Sequence, residues 1–346
     1  MNKKQKKWPF QSSNLPVYLI LVIVFLSGCS ADGSDATIDQ LVTEMNQRIA
    51  AITLAEADNN VIPRFNQLKT VACVGADFRV HENIPIELKH GVFAQAETYP
   101  AILRFANATN RDDSKKDIRG LSIKLSNVNG PVLWGEEGKQ DFILNSYPAL
   151  FVATPEEFLS FIRARQDDNK FGFFLNPFDP HLKSLWIVFR AQKKHLSPLD
   201  IRYWSTVPFQ LGDTEGQVVK YSVIPCSSYT TEKVVNAGEH QLRAAIKQHL
   251  QHEPACFRFG VQRQTDPENM PIEDASVIWD EDDSPFQTVA SITIENQNFD
   301  TPDALQNCER SSFNPWQSLP SHKPLGRMNE VRRFVYTNAA SVRIKE

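Results

Sequence analysis

Apolar positions recur along the chain at two spacings, one typical of helices and one typical of strands. Leu41, Met45 and Ile49 follow the helical spacing and predict an amphipathic helix over about 37–55. Between about 69 and 150 the pattern changes to short β-rich runs separated by Asn, Asp and Gly clusters, as in antiparallel strands. Similar strand-like runs return at 203–210, 217–225, 255–263 and 288–295.

Three further helices are predicted, over 155–165, 239–251 and about 329–343, the last with Asn329 as its N-cap. Residues 170–190 are rich in Phe, Pro and Leu without a clear period, which predicts a buried, irregular crossing. No internal repeat or low-complexity linker divides the chain. The pattern therefore predicts a single α+β domain with many non-local strands.

The first 28 residues have the pattern of a secretory signal. Four lysines precede the apolar run Leu15–Leu26, and Ser27, Gly28 and Cys29 follow it. The run is shorter than the roughly 20 apolar residues that a transmembrane helix needs. Its end resembles a bacterial lipobox, in which Cys29 is acylated and becomes the mature N-terminus. An uncleaved N-terminal anchor helix is the alternative.

This interpretation divides the chain into a lipoprotein signal peptide (1–28), a polar tether (29–36) and a folded domain (37–346). It predicts a cell-envelope lipoprotein on the periplasmic side, attached to the membrane through lipid on Cys29. Ser30, in place of an aspartate, favours the outer membrane.

Charge excludes one class of function. The chain has 37 basic and 41 acidic residues, and without the four lysines of the first 28 residues it has 33 basic residues and an excess of eight negative charges. A nucleic-acid-binding protein needs a basic surface for the phosphates. We therefore expect no nucleic-acid partner.

Four cysteines remain after Cys29, namely Cys73, Cys226, Cys256 and Cys308. In an oxidising compartment they allow two disulfides in any of three connectivities, and buried free thiols are the alternative. No CxxC pair or Cys/His cluster has metal-ligand spacing, so no zinc site is expected.

Candidate chemistry lies on the C-terminal helix. Arg332, Tyr336 and Arg343 are spaced so that all three share one face. Adjacent positive charge favours a tyrosine anion, and a phenolate suits ferric iron and is a known proximal haem ligand. A half-buried tyrosine flanked by surface arginines is the alternative.

This spacing resembles the proximal helix of haem catalases, most closely in the small catalase-like haem proteins of bacteria. Other segments, in the same order along the chain, resemble further catalase motifs. They are Ile62-Pro63-Arg64 with Lys69, ILRF from Ile102 to Phe105, DIRGLSIK from Asp117 to Lys124, DFILNSYPALF from Asp141 to Phe151, and the stretches YWSTVPFQLG, MPIEDASVIW, SPFQTVASITI and HKPLG.

The resemblance implies a catalase-type antiparallel β-barrel with helices packed outside and a bound haem b. It makes Tyr336 the axial ligand of the haem iron and Arg332 the donor that keeps it ionised. Three arginines would pair with the haem propionates, since guanidinium forks suit carboxylates; they are Arg64, Arg104 and Arg343.

The resemblance also assigns Phe151 and Phe161 to the aromatic side chains that pack on the porphyrin. Phe161 is equally well explained as a core residue of the helix over 155–165.

The distal residues depart from the catalase pattern. Gln67 stands where the pattern has histidine, Ala106 where it has serine, and Ser146 where it has asparagine, although Asn145 lies one place away. A glutamine amide forms hydrogen bonds but cannot exchange a proton near neutral pH. General acid–base help is worth about 10²–10⁴-fold in rate, so little catalase turnover is expected.

The function that the resemblance implies is a haem-dependent oxidoreductase that uses hydrogen peroxide or an organic hydroperoxide, with weak catalase activity. A non-enzymatic pseudo-catalase that stores or senses haem at the cell envelope is the alternative. A lipoprotein that keeps the fold without haem has less support, because the arginines would then persist without a ligand. The sequence leaves open whether the chain forms homo-oligomers.

Overall fold

The computed structural model describes residues 36–58, 61–213, 217–234 and 237–344. The predicted signal peptide, Cys29 and all but the last residue of the predicted tether lie outside the described residues. The helices are α1 (Ile38–Ala55), α2 (Pro155–Gln166), α3 (Lys170–Leu175), α4 (Leu182–Ala191), α5 (Gln241–His252), α6 (Pro302–Arg310) and α7 (Arg327–Arg343). None of these described helices is long and apolar enough to cross a membrane.

The strands are β1 (Lys69–Val80), β2 (Thr98–Asn107), β3 (Arg119–Ser126), β4 (Lys139–Asn145), β5 (Tyr203–Trp204), β6 (Phe209–Gln210), β7 (Val218–Pro225), β8 (Ala255–Arg263) and β9 (Gln287–Ile294). Eight of them close a barrel in the order β1-β2-β3-β4-β5-β7-β8-β9, and β9 pairs back with β1. Every pair is antiparallel, and β6 extends the barrel beside β7. The predicted α+β fold around an antiparallel barrel is confirmed.

Aromatic side chains fill the barrel interior. Phe78, Phe93, Phe142, Tyr221 and Phe259 are all fully buried, and their ring centres lie 4.9 to 6.5 Å apart. Each such side chain stabilises the fold by about 1.5–3 kcal/mol through burial, and the edge-to-face pairs add to this. Because these rings occupy the interior, the haem that the sequence resemblance implies would have to lie outside the barrel.

A second hydrophobic core joins α1, α2 and α7 on the outside. Thr37 and Gln40 form a reciprocal capping box that begins α1. The contributing side chains are Leu41, Met45, Ile49, Ile52, Phe65, Leu159, Ile162, Val331 and Val335. This core fixes the position of α7, which carries Tyr336.

Residues Ala36–Glu346 form one compact unit. All hydrophobic clusters of the described residues belong to this unit. Two disulfides reinforce it, Cys73–Cys308 and Cys226–Cys256, with Cα–Cα distances of 5.9 and 5.0 Å. The described core and both disulfides therefore lie within one unit.

Two predictions about secondary structure were wrong. Residues 170–190 form α3 and α4, each with an exposed apolar face, instead of a buried irregular crossing. Gly326, with φ +82°, is the N-cap of α7 and makes no side-chain cap. Asn329 lies inside the helix, where its Nδ2 donates to the Pro208 and Leu325 carbonyls, each at 2.9 Å.

Candidate functional site

On α7, Arg332 is held between two acceptors. Its Nη2 donates to Tyr336 Oη at 3.1 Å, and its Nη1 donates to Asn329 Oδ1 at 3.0 Å. The guanidinium carbon lies 5.1 Å from the centre of the Tyr336 ring. Asn329 is buried and anchored by its own hydrogen bonds, so it orients Arg332. The guanidinium therefore makes a charge-assisted hydrogen bond to the phenol oxygen.

Three arginines from separate parts of the chain converge near the end of α7, and we call Arg64, Arg104 and Arg343 the arginine cluster. Arg64 Nη2 donates to the Ser311 carbonyl at 2.9 Å and to the Glu309 carbonyl at 3.2 Å. Arg343 donates to the same two carbonyls, at 3.2 Å for Ser311. Because Arg64 and Arg343 donate to the same two carbonyls, the end of α7 lies close to the segment that precedes β1.

The arginine cluster holds more positive charge than its surroundings neutralise. Burial first, then repulsion from Arg104 and Arg343, lowers the pKa of Arg64 well below its usual range. Burial also lowers the pKa of Arg104 to about 10, partly offset by the Glu309 carboxylate, and lowers the pKa of Arg343. Within the described part of the chain, Glu309 is the carboxylate that faces these three guanidiniums, and its Oε2 lies 3.7 Å from Arg64 Nε.

Arg64 Nε is buried and has no hydrogen-bond partner among the described residues. Its nearest carboxylate oxygen is Glu309 Oε2, at 3.7 Å, which is one negative charge against three guanidiniums. The remaining positive charge suits a ligand with carboxylates. The two propionates of haem are anionic hydrogen-bond acceptors, so the residues present fit the group.

The Cys73–Cys308 disulfide positions the acceptors of the cluster. Cys73 lies opposite Arg104 in the β1–β2 register, and Cys308 precedes the Glu309 and Ser311 carbonyls. The disulfide therefore holds the end of α6 over the arginines. The sequence left this pairing among three connectivities, because only the fold brings together cysteines separated by 235 residues.

Gln67, the predicted distal residue, lies just before β1 in a left-handed conformation with φ +56°. Its Nε2 donates to Asn145 Oδ1 at 2.9 Å, and its carbonyl accepts from Arg104 Nη2 at 2.9 Å. Gln67 Oε1 is buried and has no hydrogen-bond partner within the described ranges. Gly120 makes this position possible, because a Cβ there would collide with the Gln67 amide.

The other distal residues occupy different positions. Ser146 pairs with Arg119: its Oγ accepts from the Arg119 amide at 2.9 Å, and its amide donates to the Arg119 carbonyl at 2.8 Å. Ala106 lies between Thr70 and Gly120 in the strand register. The structure thus brings Asn145, and not Ser146, into contact with Gln67.

Phe151 and Phe161 lie in contact, with ring centres 4.8 Å apart in an edge-to-face arrangement. Phe161 also packs on Phe173 and Phe174, at 5.5 and 6.3 Å. We call Phe151, Phe161, Phe173 and Phe174 the aromatic cluster. Phe173 and Phe174 belong to the core, while Phe151 and Phe161 are half-buried and leave part of their apolar surface uncovered.

Sequence reasoning missed several contributors to the site, which are Asn145 as the partner of Gln67, Gly120, Asn329 and the carbonyls of residues 308–311. Gly120 carried a signal, because a glycine within the strand run DIRGLSIK marks a close approach. Across the described ranges, no three His, Cys, Asp or Glu side chains group as a metal site. Iron in a porphyrin needs little from the protein beyond one axial ligand, which a tyrosine can supply.

Comparisons with known proteins support the same architecture. No protein-family model matches the chain. Catalase A from Saccharomyces cerevisiae superposes with a TM-score of 0.65 and 17% identity, covering 83% of this chain and 62% of the yeast chain. A bacterial catalase superposes with a TM-score of 0.65 and 16% identity, covering 91% of this chain and 63% of the bacterial chain. The chain has the catalase fold.

A fungal catalase agrees, with a TM-score of 0.65 and 16% identity over 85% of this catalase-fold chain and 61% of its own. Among curated proteins, the allene oxide synthase-lipoxygenase protein of Plexaura homomalla is 24% identical over 284 residues, covering 74% of this chain and 26% of that protein. The chain thus spans about three fifths of these catalases and about a quarter of the Plexaura protein. These matches do not single out the small bacterial branch.

Proposed function

We propose that this catalase-fold chain binds haem b between α7 and the segment that precedes β1, and acts as an oxidoreductase on peroxides. The hydrogen bond from Arg332 to Tyr336 carries the proposal, because it fixes a tyrosine oxygen of the kind that can ligate haem iron beside a charged donor. The arginine cluster supplies the charge that the two propionates require.

Each residue has a definite part in this proposal. Tyr336 would ligate the iron, and Arg332 would hold its oxygen in the anionic form. The arginine cluster would bind the propionates, and Arg64 Nε has no hydrogen bond to give up. Phe151 and Phe161, the half-buried members of the aromatic cluster, would pack on the porphyrin. When bound, haem supplies the redox chemistry on the peroxide bond.

The distal amides set the choice of reaction. Gln67 and Asn145 can orient a peroxide by hydrogen bonds, but neither can take up and return its proton. We therefore infer an organic hydroperoxide as the preferred substrate, with slow hydrogen peroxide decomposition. The aromatic cluster and the match to an allene oxide synthase-lipoxygenase protein support a substrate with an apolar part.

A second function, haem storage or sensing without turnover, is favoured by the same distal observation. Gln67 is engaged with Asn145, and no titratable side chain bonds to either amide among the described hydrogen bonds. A pocket of this kind would bind haem tightly and leave peroxide chemistry close to that of free haem.

The test is reconstitution of purified residues 36–346 with haem. The primary proposal expects a Soret band that saturates at one haem per chain and a turnover of cumene hydroperoxide well above that of free haem. A stoichiometric Soret band with turnover equal to that of free haem would select storage or sensing. Absence of any Soret shift would reject both functions.

We also propose that the chain is a lipoprotein of the cell envelope, on the basis of the lysines, the apolar run and the lipobox-like sequence that ends at Cys29. Mass spectrometry of the N-terminal peptide from the natural host should show an acylated Cys29. An unmodified peptide that begins at Met1 would overturn this proposal.

A further inference from the structure

The α3–α4 region exposes a concentration of large apolar side chains. Of the thirteen large hydrophobic residues exposed in the described part of the chain, seven lie between residues 171 and 196. They are Phe171, Leu175, Phe178, Leu182, Trp186, Phe189 and Leu196. We call residues 170–196 the apolar hairpin. Soluble proteins rarely leave such a concentration without an interaction partner.

The apolar hairpin is firmly attached to the fold by its inner face. Phe173 and Phe174 of α3 are buried against Phe161, and Ile187 is a buried residue of α4. His181 Nδ1 lies 3.1 Å from the Phe173 carbonyl, and the two rings stack at 4.1 Å. One face of the hairpin therefore belongs to the core, while the other presents its side chains to solvent.

The exposed side chains project far from the surface. Phe178, in the turn between the two helices, is 95% exposed, and Phe171 and Phe189 are 79% and 74% exposed. On α4, Leu182, Trp186 and Phe189 share one face by their spacing. Leaving each such side chain in water forgoes burial that would favour association.

The charge of the apolar hairpin is opposite to that of the whole chain. Within residues 170–196 only Asp179 is acidic, whereas five residues are basic and exposed, namely Lys170, Lys183, Arg190, Lys193 and Lys194. Lys183 lies 3.6 Å from Asp274, and Arg190 lies over the Trp186 ring at 5.6 Å. The chain as a whole has an acidic excess of four. This local reversal complements an anionic surface.

We propose that the apolar hairpin is a membrane-docking surface, which inserts Phe178, Trp186 and Phe189 among lipid acyl chains and places its lysines and arginine at anionic headgroups. Interfacial helices combine Trp, Phe and Leu on one face with Lys and Arg beside them. Protein interfaces, in contrast, are depleted in lysine, and the hairpin carries four lysines. The composition therefore favours lipid over a second protein.

The N-terminal sequence also favours a membrane as the partner of the hairpin. If lipid on Cys29 anchors the chain, the residues between Cys29 and the start of α1 at Ile38 reach at most about 30 Å. That short tether would keep the folded unit at the bilayer and raise the effective concentration of the hairpin there. The docking surface itself does not depend on the anchor, so it can be tested without it.

The test is flotation of residues 36–346 with vesicles of phosphatidylcholine alone and of equal parts phosphatidylcholine and phosphatidylglycerol. We expect binding to the anionic vesicles that weakens as salt is raised. The double variant Phe178→Ser/Trp186→Ser should lose binding by tenfold or more, on the order expected for two large apolar side chains. Reversal of Lys193 and Lys194 to Glu should weaken it by at least about fivefold per charge.

Matched controls lie elsewhere on the same unit. Leu54 and Ile86 are exposed apolar residues outside the hairpin, so Leu54→Ser/Ile86→Ser should bind like the parent. Lys233→Glu/Arg258→Glu makes the same charge change at other exposed positions. All of these residues are exposed, and circular dichroism should show an unchanged fold.

A second measurement locates the inserted residue. Brominated lipids should quench tryptophan fluorescence of the parent, and Trp186→Phe should keep vesicle binding but lose most of the quenching. The proposal is overturned if the parent does not bind anionic vesicles, if the control variants lose as much binding, or if quenching persists in Trp186→Phe. It is also overturned if the hairpin variants instead convert a dimer to a monomer in light scattering, which would make this face an interface between copies.

Discussion

The two sides of the candidate haem site are built from different kinds of hydrogen bond. On α7 a guanidinium donates to a phenol, so the Arg332–Tyr336 hydrogen bond is charge-assisted. Before β1 an amide donates to an amide, so the Gln67–Asn145 pair is neutral at every pH near neutrality. One side is suited to hold a metal ligand, while the other is suited only to orient what binds opposite it.

Because of this difference, haem binding and catalytic turnover should depend on different residues. The residues that would bind haem draw on four arginines and a core shared by α1, α2 and α7. The residues that would move a proton are replaced by groups that cannot. Variants on the two sides should therefore affect different measurements, and the following predictions use that difference.

The largest effect is expected from Tyr336→Phe. Removing the phenol oxygen removes the proposed iron ligand, so haem affinity should fall on the order of 100-fold or more, beyond the 10–100-fold typical of outer partners. Absorption titration with haem measures this directly. Tyr229→Phe, far from the site beside Gln248, is the matched control. If Tyr336→Phe still binds haem tightly, Tyr336 is not the iron ligand.

The next effect is a gain on the distal side. Gln67→His, alone and with Ala106→Ser, restores a group that can exchange a proton, so hydrogen peroxide decomposition by the haem-loaded unit should rise about 10–100-fold. The rate should also acquire a pH step near about 6.5, which the parent lacks because glutamine does not titrate. Haem affinity should stay unchanged. A variant that binds haem but shows neither the gain nor the step would contradict the distal assignment.

A smaller loss is expected when the donor to Tyr336 is removed. Arg332→Met leaves the phenol in place but takes away the charge that favours its anion, so haem affinity should fall about tenfold and the Soret maximum should shift. Arg258→Met, at an exposed position on β8, is the control. An unchanged spectrum in Arg332→Met would mean that the hydrogen bond at 3.1 Å has no influence on the ligand.

Much of this architecture could be predicted from the sequence. The strand runs between 69 and 150 became β1 to β4, because short apolar runs bounded by turn residues are typical of antiparallel strands. The α3–α4 region could not be predicted in the same way. Its exposed face is as apolar as its buried face, so no helical period distinguishes the two. α6 was missed for the opposite reason, since only Cys308 among its residues is buried.

The candidate site shows the same division. The shared position of Arg332, Tyr336 and Arg343 could be predicted, because residues at helical spacing lie on the same face of a helix. The role of Asn145 could not be predicted in this way, because the residue lies at the end of β4. In a strand, a shift of one residue moves a side chain to the other face of the sheet. Only the β3–β4 register, which pairs Gly120 with Asn145, places Asn145 beside Gln67.

The smallest predicted effect distinguishes these two neighbours on the distal side. Asn145→Ala removes the acceptor of Gln67 Nε2, so the affinity of the haem-loaded unit for an organic hydroperoxide should fall about fivefold, the worth of one hydrogen bond of about 1 kcal/mol. The free energy of unfolding of the Asn145→Ala variant should change less than that of the Ser146→Ala variant. Ser146→Ala removes the acceptor of the Arg119 amide in the β3–β4 pairing, so it should lower the free energy of unfolding by about 1 kcal/mol and leave hydroperoxide affinity unchanged.

The opposite pattern, with affinity lost in Ser146→Ala and stability lost in Asn145→Ala, would mean that the distal pocket follows the sequence alignment and not the strand register. Urea unfolding and steady-state kinetics on the same two variants measure both quantities. Because the residues are adjacent and each change removes one acceptor, a difference between them reflects their different partners, Gln67 for Asn145 and Arg119 for Ser146.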